Sequence, residues 1–223
     1  MARIDNAAHW FKTTYGPQMV DAVTGTPFSV NMLTAIAIQE TYEIWGRLFD
    51  GGMTPEEILD ACVGDVISAP RRTAYPKTKD ELIASPRGQE MYDVARQALA
   101  DMAKHAPEYQ KYVANPERFC HAFGVFQYDI QFFKDDPDFF LSRKWADLGE
   151  CLSRCVKELT RVTKKTYGAG KQTLTDLEAT FIAIGYNTGS VNPAKGLKQG
   201  FKDDTGKYYG EYVADYIRIA TNA

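Results

Sequence analysis

The sequence predicts a mainly α-helical protein, on three observations. Apolar residues recur at three- and four-residue spacing over long stretches, which puts them on one face of a helix. Helix-start signatures precede several of those stretches. Glycine or proline punctuates their ends. The 223 residues can bury a sizeable core, and with no internal repeat or low-complexity linker the expectation is one domain over residues 1–223.

Ser29 caps a first helix whose apolar residues run through Met32, Leu33, Ile36 and Ala37 to Glu40 and Ile44. Asp50-Gly51-Gly52 breaks it. Thr54-Pro55-Glu56-Glu57 reads as an N-cap, a proline at the first helical position and an acidic first turn. Residues 66–79, with Pro70, Pro76, Arg71, Arg72, Lys77 and Lys79, read as an irregular exposed segment with room for a short strand. Ser85-Pro86 starts a longer helix with Met91, Val94, Ala95, Ala98, Leu99 and Met102 on one stripe, limited by Pro107. Asn115-Pro116-Glu117 starts a short one. A second long helix runs from about Arg143 to Thr166, with Trp145, Leu148, Leu152, Cys155, Val156 and Leu159 on its stripe and Gly168 as terminator. Thr175-Asp176-Leu177-Glu178 has capping-box spacing ahead of Phe181, Ile182 and Ile184. The last helix carries Tyr209, Tyr212, Val213, Tyr216, Ile217 and Ala220.

Composition narrows the partners. Net charge is −3 and lysines are spread along the chain, so no basic patch argues for nucleic acid. Thirteen tyrosines and three tryptophans are compatible with stacking on sugars as well as with packing. Cys62, Cys120, Cys151 and Cys155 show no CxxC pair, and with His9, His105 and His121 they make no zinc-type ligand set. No metal or cofactor is expected. Buried reduced thiols are the plain reading, with a disulfide open if the chain is exported. The start lacks an apolar secretory core and no stretch is long enough to span a membrane. The expectation is that the chain starts in the cytosol, leaves by a signal-independent route, or is written here without its leader.

Chemistry concentrates in three segments. Glu40 ends the apolar run Ala35-Ile36-Ala37-Ile38 and shares a helix face with Ile36, Ala37 and Ile44. A carboxyl desolvated by such neighbours keeps its proton closer to neutral pH, as a general acid for glycosidic cleavage must. Glu43 is the rival one turn on, but its upstream neighbours Thr41 and Tyr42 are less apolar. Gly124-Val125-Phe126-Gln127 joins a glycine that lets backbone approach a ligand to an amide that can donate to and accept from sugar groups. Gly185-Tyr186-Asn187-Thr188-Gly189 ends an apolar helix; it either terminates that helix or aims the Tyr186 hydroxyl and Asn187 amide at the acid.

With these segments together the chain resembles the lytic transglycosylases and goose-type lysozymes of the lysozyme-like superfamily. Their pattern is a glutamate in a Glu-Ser context, then Gly-Leu-Met-Gln, then Ala-Tyr-Asn-Ala-Gly. Here it reads Glu40-Thr41, Gly124-Val125-Phe126-Gln127 and Gly185-Tyr186-Asn187-Thr188-Gly189. The resemblance implies a lysozyme-like helical domain and cleavage of β-1,4 bonds in peptidoglycan. It implies Glu40 as acid/base, substrate binding by Gly124, Val125, Phe126 and Gln127, and Tyr186 and Asn187 at the reacting sugar. Such a protein acts on the cell wall, in the periplasm or outside the cell.

One departure is large. Eighty-three residues separate Glu40 from Gly124, where the family has a few tens, so an insertion over about residues 50–115 is expected. It supplies the candidates for a second carboxylate: Asp50, Asp60 and Asp65. An inverting hydrolase needs one to activate water. A lytic transglycosylase, as the resemblance implies, does not, because the muramic acid's own hydroxyl attacks. The alternatives are a chitinase or chitosanase on the same scaffold, and a non-catalytic wall-binding module.

Overall fold

A computed structural model describes residues 2–223. Helices, the short 3-10 turns included, take 62% of the residues, and strands with one isolated bridge 4%, so the protein is mainly α as the periodicity predicts. In chain order the helices are α1 (Ala2–Val23), α2 (Val30–Asp50), α3 (Pro55–Ala61), α4 (Lys79–Ile83), α5 (Gly88–Met102), α6 (Gln110–Val113), α7 (Pro137–Leu141), α8 (Leu148–Tyr167), α9 (Asp176–Thr188) and α10 (Tyr209–Asn222). Beside them stand three two-residue strands, β1 (Val63–Gly64), β2 (Ala122–Phe123) and β3 (Tyr128–Asp129), and four short 3-10 turns.

The chain forms two compact units: Met1–Glu40 with Leu152–Ala223, and Thr41–Cys151. The boundaries fall inside α2 and α8.

The first unit is all helix. In α1, Ala8, Phe11, Tyr15 and Met19 form a buried stripe, with the Phe11 and Tyr15 rings edge to face at 4.8 Å. Helix α10 packs on α9 and on α1. Two glycines set how closely those helices approach. A β-carbon on Gly185 would lie 2.4 Å from Val162 Cγ1 of α8. One on Gly210 would lie 2.4 Å from the Leu197 carbonyl and 2.5 Å from Ile184 Cδ1 of α9. The expected capping box of α9 is present: the Thr175 hydroxyl accepts from the Glu178 N–H and the Glu178 carboxylate from the Thr175 N–H. Gly168 (φ +88°) and Gly189 (φ +76°) end α8 and α9 in the left-handed region, as C-terminal glycines do.

The second unit holds the sheet, ordered β1-β2-β3 and antiparallel throughout, with Val63 opposite Phe123 and Phe123 opposite Tyr128. Phe123 packs its ring at 4.9 Å from Trp145 and 5.4 Å from Phe140. Helix α3 has the predicted start, with Thr54 and Glu57 reciprocally bonded and Pro55 at the first helical position.

Four local expectations are corrected. Helix α5 starts at Gly88, not at Ser85-Pro86: the Ser85 hydroxyl donates to the Leu82 carbonyl and closes a tight turn after α4. Asn115-Pro116-Glu117 is a turn, not a helix start. Asn115 Oδ1 accepts from the Glu117 N–H, and the Arg96 guanidinium holds the carbonyls of Tyr112, Val113, Asn115 and Arg118. Helix α8 starts at Leu148 rather than Arg143, because Arg143 takes φ +51° and Lys144–Ala146 form a 3-10 turn. Residues 66–79 contain no strand, and Arg72 is buried rather than exposed.

Arg72 organises that irregular stretch. Its Nε donates to the Pro76 carbonyl at 2.9 Å and its Nη2 to the Tyr75 carbonyl at 3.0 Å. Nη2 and Nη1 grip both oxygens of Asp129 at 2.7 and 3.1 Å, and Nη1 reaches Asp65 at 3.4 Å. A buried guanidinium whose donors are met by carboxylates and carbonyls is tolerable; an unmet one is costly. Beside it His121 is fully buried, with Nδ1 3.0 Å from the Asp65 carbonyl. Burial, with Arg72 nearby, pushes its pKa down to about 3, so the ring is neutral.

Candidate active site

Glu40 lies in α2 after a run in which Met32, Leu33, Ala35, Ile36, Ala37 and Ile38 are all buried. Ser29 caps the start of that helix by accepting from the Met32 N–H at 3.2 Å. The Glu40 side chain is half-buried by its accessible surface, yet protein atoms crowd the carboxyl enough for desolvation to dominate. Its pKa is pushed up to about 7, against a smaller lowering by a hydrogen bond from Tyr209. The rival Glu43 is exposed, its side chain 88% accessible, so desolvation singles out Glu40.

The Tyr209 hydroxyl donates to Glu40 Oε1 at 2.8 Å. Tyr209 is buried at the first position of α10. Burial raises its pKa well above the usual phenol range, and the Glu40 charge and hydrogen bond raise it further. The phenol therefore stays protonated and is a donor in both charge states of the glutamate.

Tyr186 belongs to the same cluster. It sits on the last turn of α9, half-buried. Burial raises its pKa well above the usual range, and the neighbouring Cys155, Glu40 and Tyr209 add to the shift. Cys155 is a buried thiol on α8 that engages the Tyr186 hydroxyl. Helices α2, α8, α9 and α10 thus each contribute one side chain to this cluster: Glu40, Cys155, Tyr186 and Tyr209. Asn187 is exposed, its Oδ1 3.6 Å from where a Gly200 β-carbon would begin.

The second unit places the remaining expected residues. Gly124 and Gln127 close the hairpin between β2 and β3. Gly124 has φ +79°, and a β-carbon on it would stand 2.6 Å from Cys151 Sγ. Gln127 adopts φ +53°, rare for a side chain, and its Nε2 donates to the Gly124 carbonyl at 2.8 Å. Val125 and Phe126 are in the core. Of the turn's side chains only Gln127 keeps accessible surface. The Val125 carbonyl accepts from the buried Thr41 hydroxyl at 2.8 Å.

The three aspartates differ. Asp50 is exposed at the end of α2. Asp60 is held by Arg143 Nη2 at 2.9 Å to each oxygen. Asp65 has a raised pKa, chiefly from burial and also from Asp129, opposed by the Ile67 N–H and by Arg72.

Sequence reasoning missed Tyr209 as a partner of Glu40. The residue was legible as part of the α10 stripe, but nothing in that spacing says where its hydroxyl points. Cys155 was likewise legible only as a stripe residue.

Comparison with protein families, with curated proteins and with solved structures gave no match. Among the described residues no group of three or more His, Cys, Asp or Glu could hold a metal ion, and no helix is long and apolar enough to cross a membrane.

Proposed function

We propose that this chain is a glycosidase that cleaves β-1,4 bonds of an amino-sugar polymer, peptidoglycan first among such polymers, with Glu40 as general acid. One observation carries the reading: a desolvated carboxyl with a pKa near 7, oriented by a buried tyrosine donor. A carboxyl in that range holds a proton at working pH and also accepts one back, which suits both halves of an acid/base cycle.

In this reading protonated Glu40 gives its proton to the bridging oxygen as the bond to the anomeric carbon breaks. Tyr209, donating to Oε1, steadies the carboxylate that results. That carboxylate then takes the proton from the muramic acid's own hydroxyl as its oxygen closes on the anomeric carbon, leaving an anhydro sugar. Tyr186 and Asn187 act at the reacting sugar. This route needs no second carboxylate to activate water, and Asp60 is committed to Arg143.

Side-by-side digestion of purified peptidoglycan, chitin and chitosan, with mass spectrometry of the released ends, tests it. The expected result is soluble fragments with anhydro ends from peptidoglycan. Reducing ends instead would mean hydrolysis, and release from chitin or chitosan alone would move the substrate. Retention on insoluble wall with nothing released would make the chain a binding module.

A further inference from the structure

Phe201 is 73% exposed, well above the other exposed large apolar residues Leu177 (54%), Val20 (53%) and Ile67 (46%). A single exposed apolar side chain is ordinary on a free surface loop. Phe201 is not on a free loop. Its own carbonyl accepts from the Tyr209 N–H at 2.8 Å, and the Gln199 carbonyl accepts from the Gly210 N–H at 3.2 Å. The backbone on both sides of Gly200 is therefore bonded to the first turn of α10. Gly200 itself takes φ +84°, and a β-carbon there would be 2.7 Å from Tyr209 Cβ and 3.6 Å from Asn187 Oδ1. Beyond Phe201, Lys202 bridges to Tyr208, and Asp203 Oδ1 accepts from the N–H groups of Thr205 and Lys207.

The segment is thus braced at both ends while the ring faces water. It is fixed to Tyr209, the residue that orients the proposed acid, and it passes beside Asn187. A pyranose has a flat face of C–H groups, and the electron-rich face of an aromatic ring attracts such edges. An N-acetylated amino sugar presents that face together with an amide that a neighbouring Asn can meet.

We propose that Phe201 is a stacking platform for one pyranose ring of a β-1,4-linked amino-sugar chain, a binding subsite on the segment that joins α9 to α10. The proposal rests on the glycosidase reading, because it takes its ligand class from there.

The test measures binding to Glu40→Gln protein, so that no turnover intervenes. The probes are a chain of four β-1,4-linked N-acetylglucosamines and purified glycan strands. Calorimetric titration should show Phe201→Ala weakening binding by about two- to tenfold, with Phe201→Trp restoring it. Equal binding by the Phe201→Ala form overturns the subsite and leaves the glycosidase reading standing, as does a Phe201→Ala change that alters only self-association in sedimentation. Failure of the Phe201-containing protein to bind either probe overturns the subsite together with the glycan reading.

Discussion

The Tyr209 hydroxyl donates to Glu40 Oε1 across 2.8 Å, joining residues 169 positions apart. This bond opposes the rise in the Glu40 pKa that burial causes. Removing it disfavours the ionised form. Tyr209→Phe should therefore raise the Glu40 pKa beyond about 7 and move the alkaline limb of the turnover profile to higher pH. A pH–rate profile, or a carbon-detected NMR titration of the Glu40 carboxyl, checks the direction. An unmoved or lowered value would remove Tyr209 from the site.

Burial of Glu40 also makes stability depend on pH. The folded pKa of about 7 lies above the ordinary 4.5, so the native state binds more protons than the unfolded chain between those values. Stability from this group is fully present below pH 4.5 and is lost as pH rises through 7. Glu40→Gln removes the charge, so it should match the parent near pH 4 and exceed it at pH 8 by about 3 kcal/mol. Thermal unfolding of both proteins at the two pH values measures this. A glutamine form no more stable than the parent at pH 8 contradicts a desolvated Glu40.

The Arg72 network should be costly to break from one side. Arg72→Met leaves Asp129, and with it Asp65, without a cation in a part-buried setting. The expected loss is about 3–5 kcal/mol of unfolding free energy. The loop over residues 66–79 should also become sensitive to proteolysis, since Arg72 holds the Tyr75 and Pro76 carbonyls. Chemical denaturation and limited digestion read both effects; a change under about 0.5 kcal/mol is what an exposed residue would give.

Much of the helical frame was legible because its signals are local. Thr54, Thr175, Gly168 and Gly189 do what their positions in the chain announce. Helix α1 was not read from the sequence, although its stripe of Ala8, Phe11, Tyr15 and Met19 carries the same signal at the same spacing. The sheet was not legible, since strands of two residues are too short to show alternation. The start of α5 was misplaced because Ser85-Pro86 mimics a cap, while the Ser85 hydroxyl turns back to Leu82. The desolvated setting of Glu40 was legible from its apolar upstream run. Its bond to Tyr209 is set by how α10 packs in the folded chain, which no short window of sequence contains.

Gly185 offers a packing test inside the Gly-Tyr-Asn segment. Gly185→Ala puts a methyl group 2.4 Å from Val162 Cγ1 and should destabilise by about 1–3 kcal/mol through overpacking. Val162→Ala in the same chain frees that space, so the double variant should lose less than the two single losses added together. Strict additivity in a double-mutant cycle would mean the two residues do not meet.

The most direct test is release of soluble fragments from purified peptidoglycan by the parent and by Glu40→Gln, each shown to be folded by circular dichroism. The parent should release fragments, and the glutamine form should be slower by about a hundred- to ten-thousandfold. Equal release by the two proteins would contradict Glu40 as the acid.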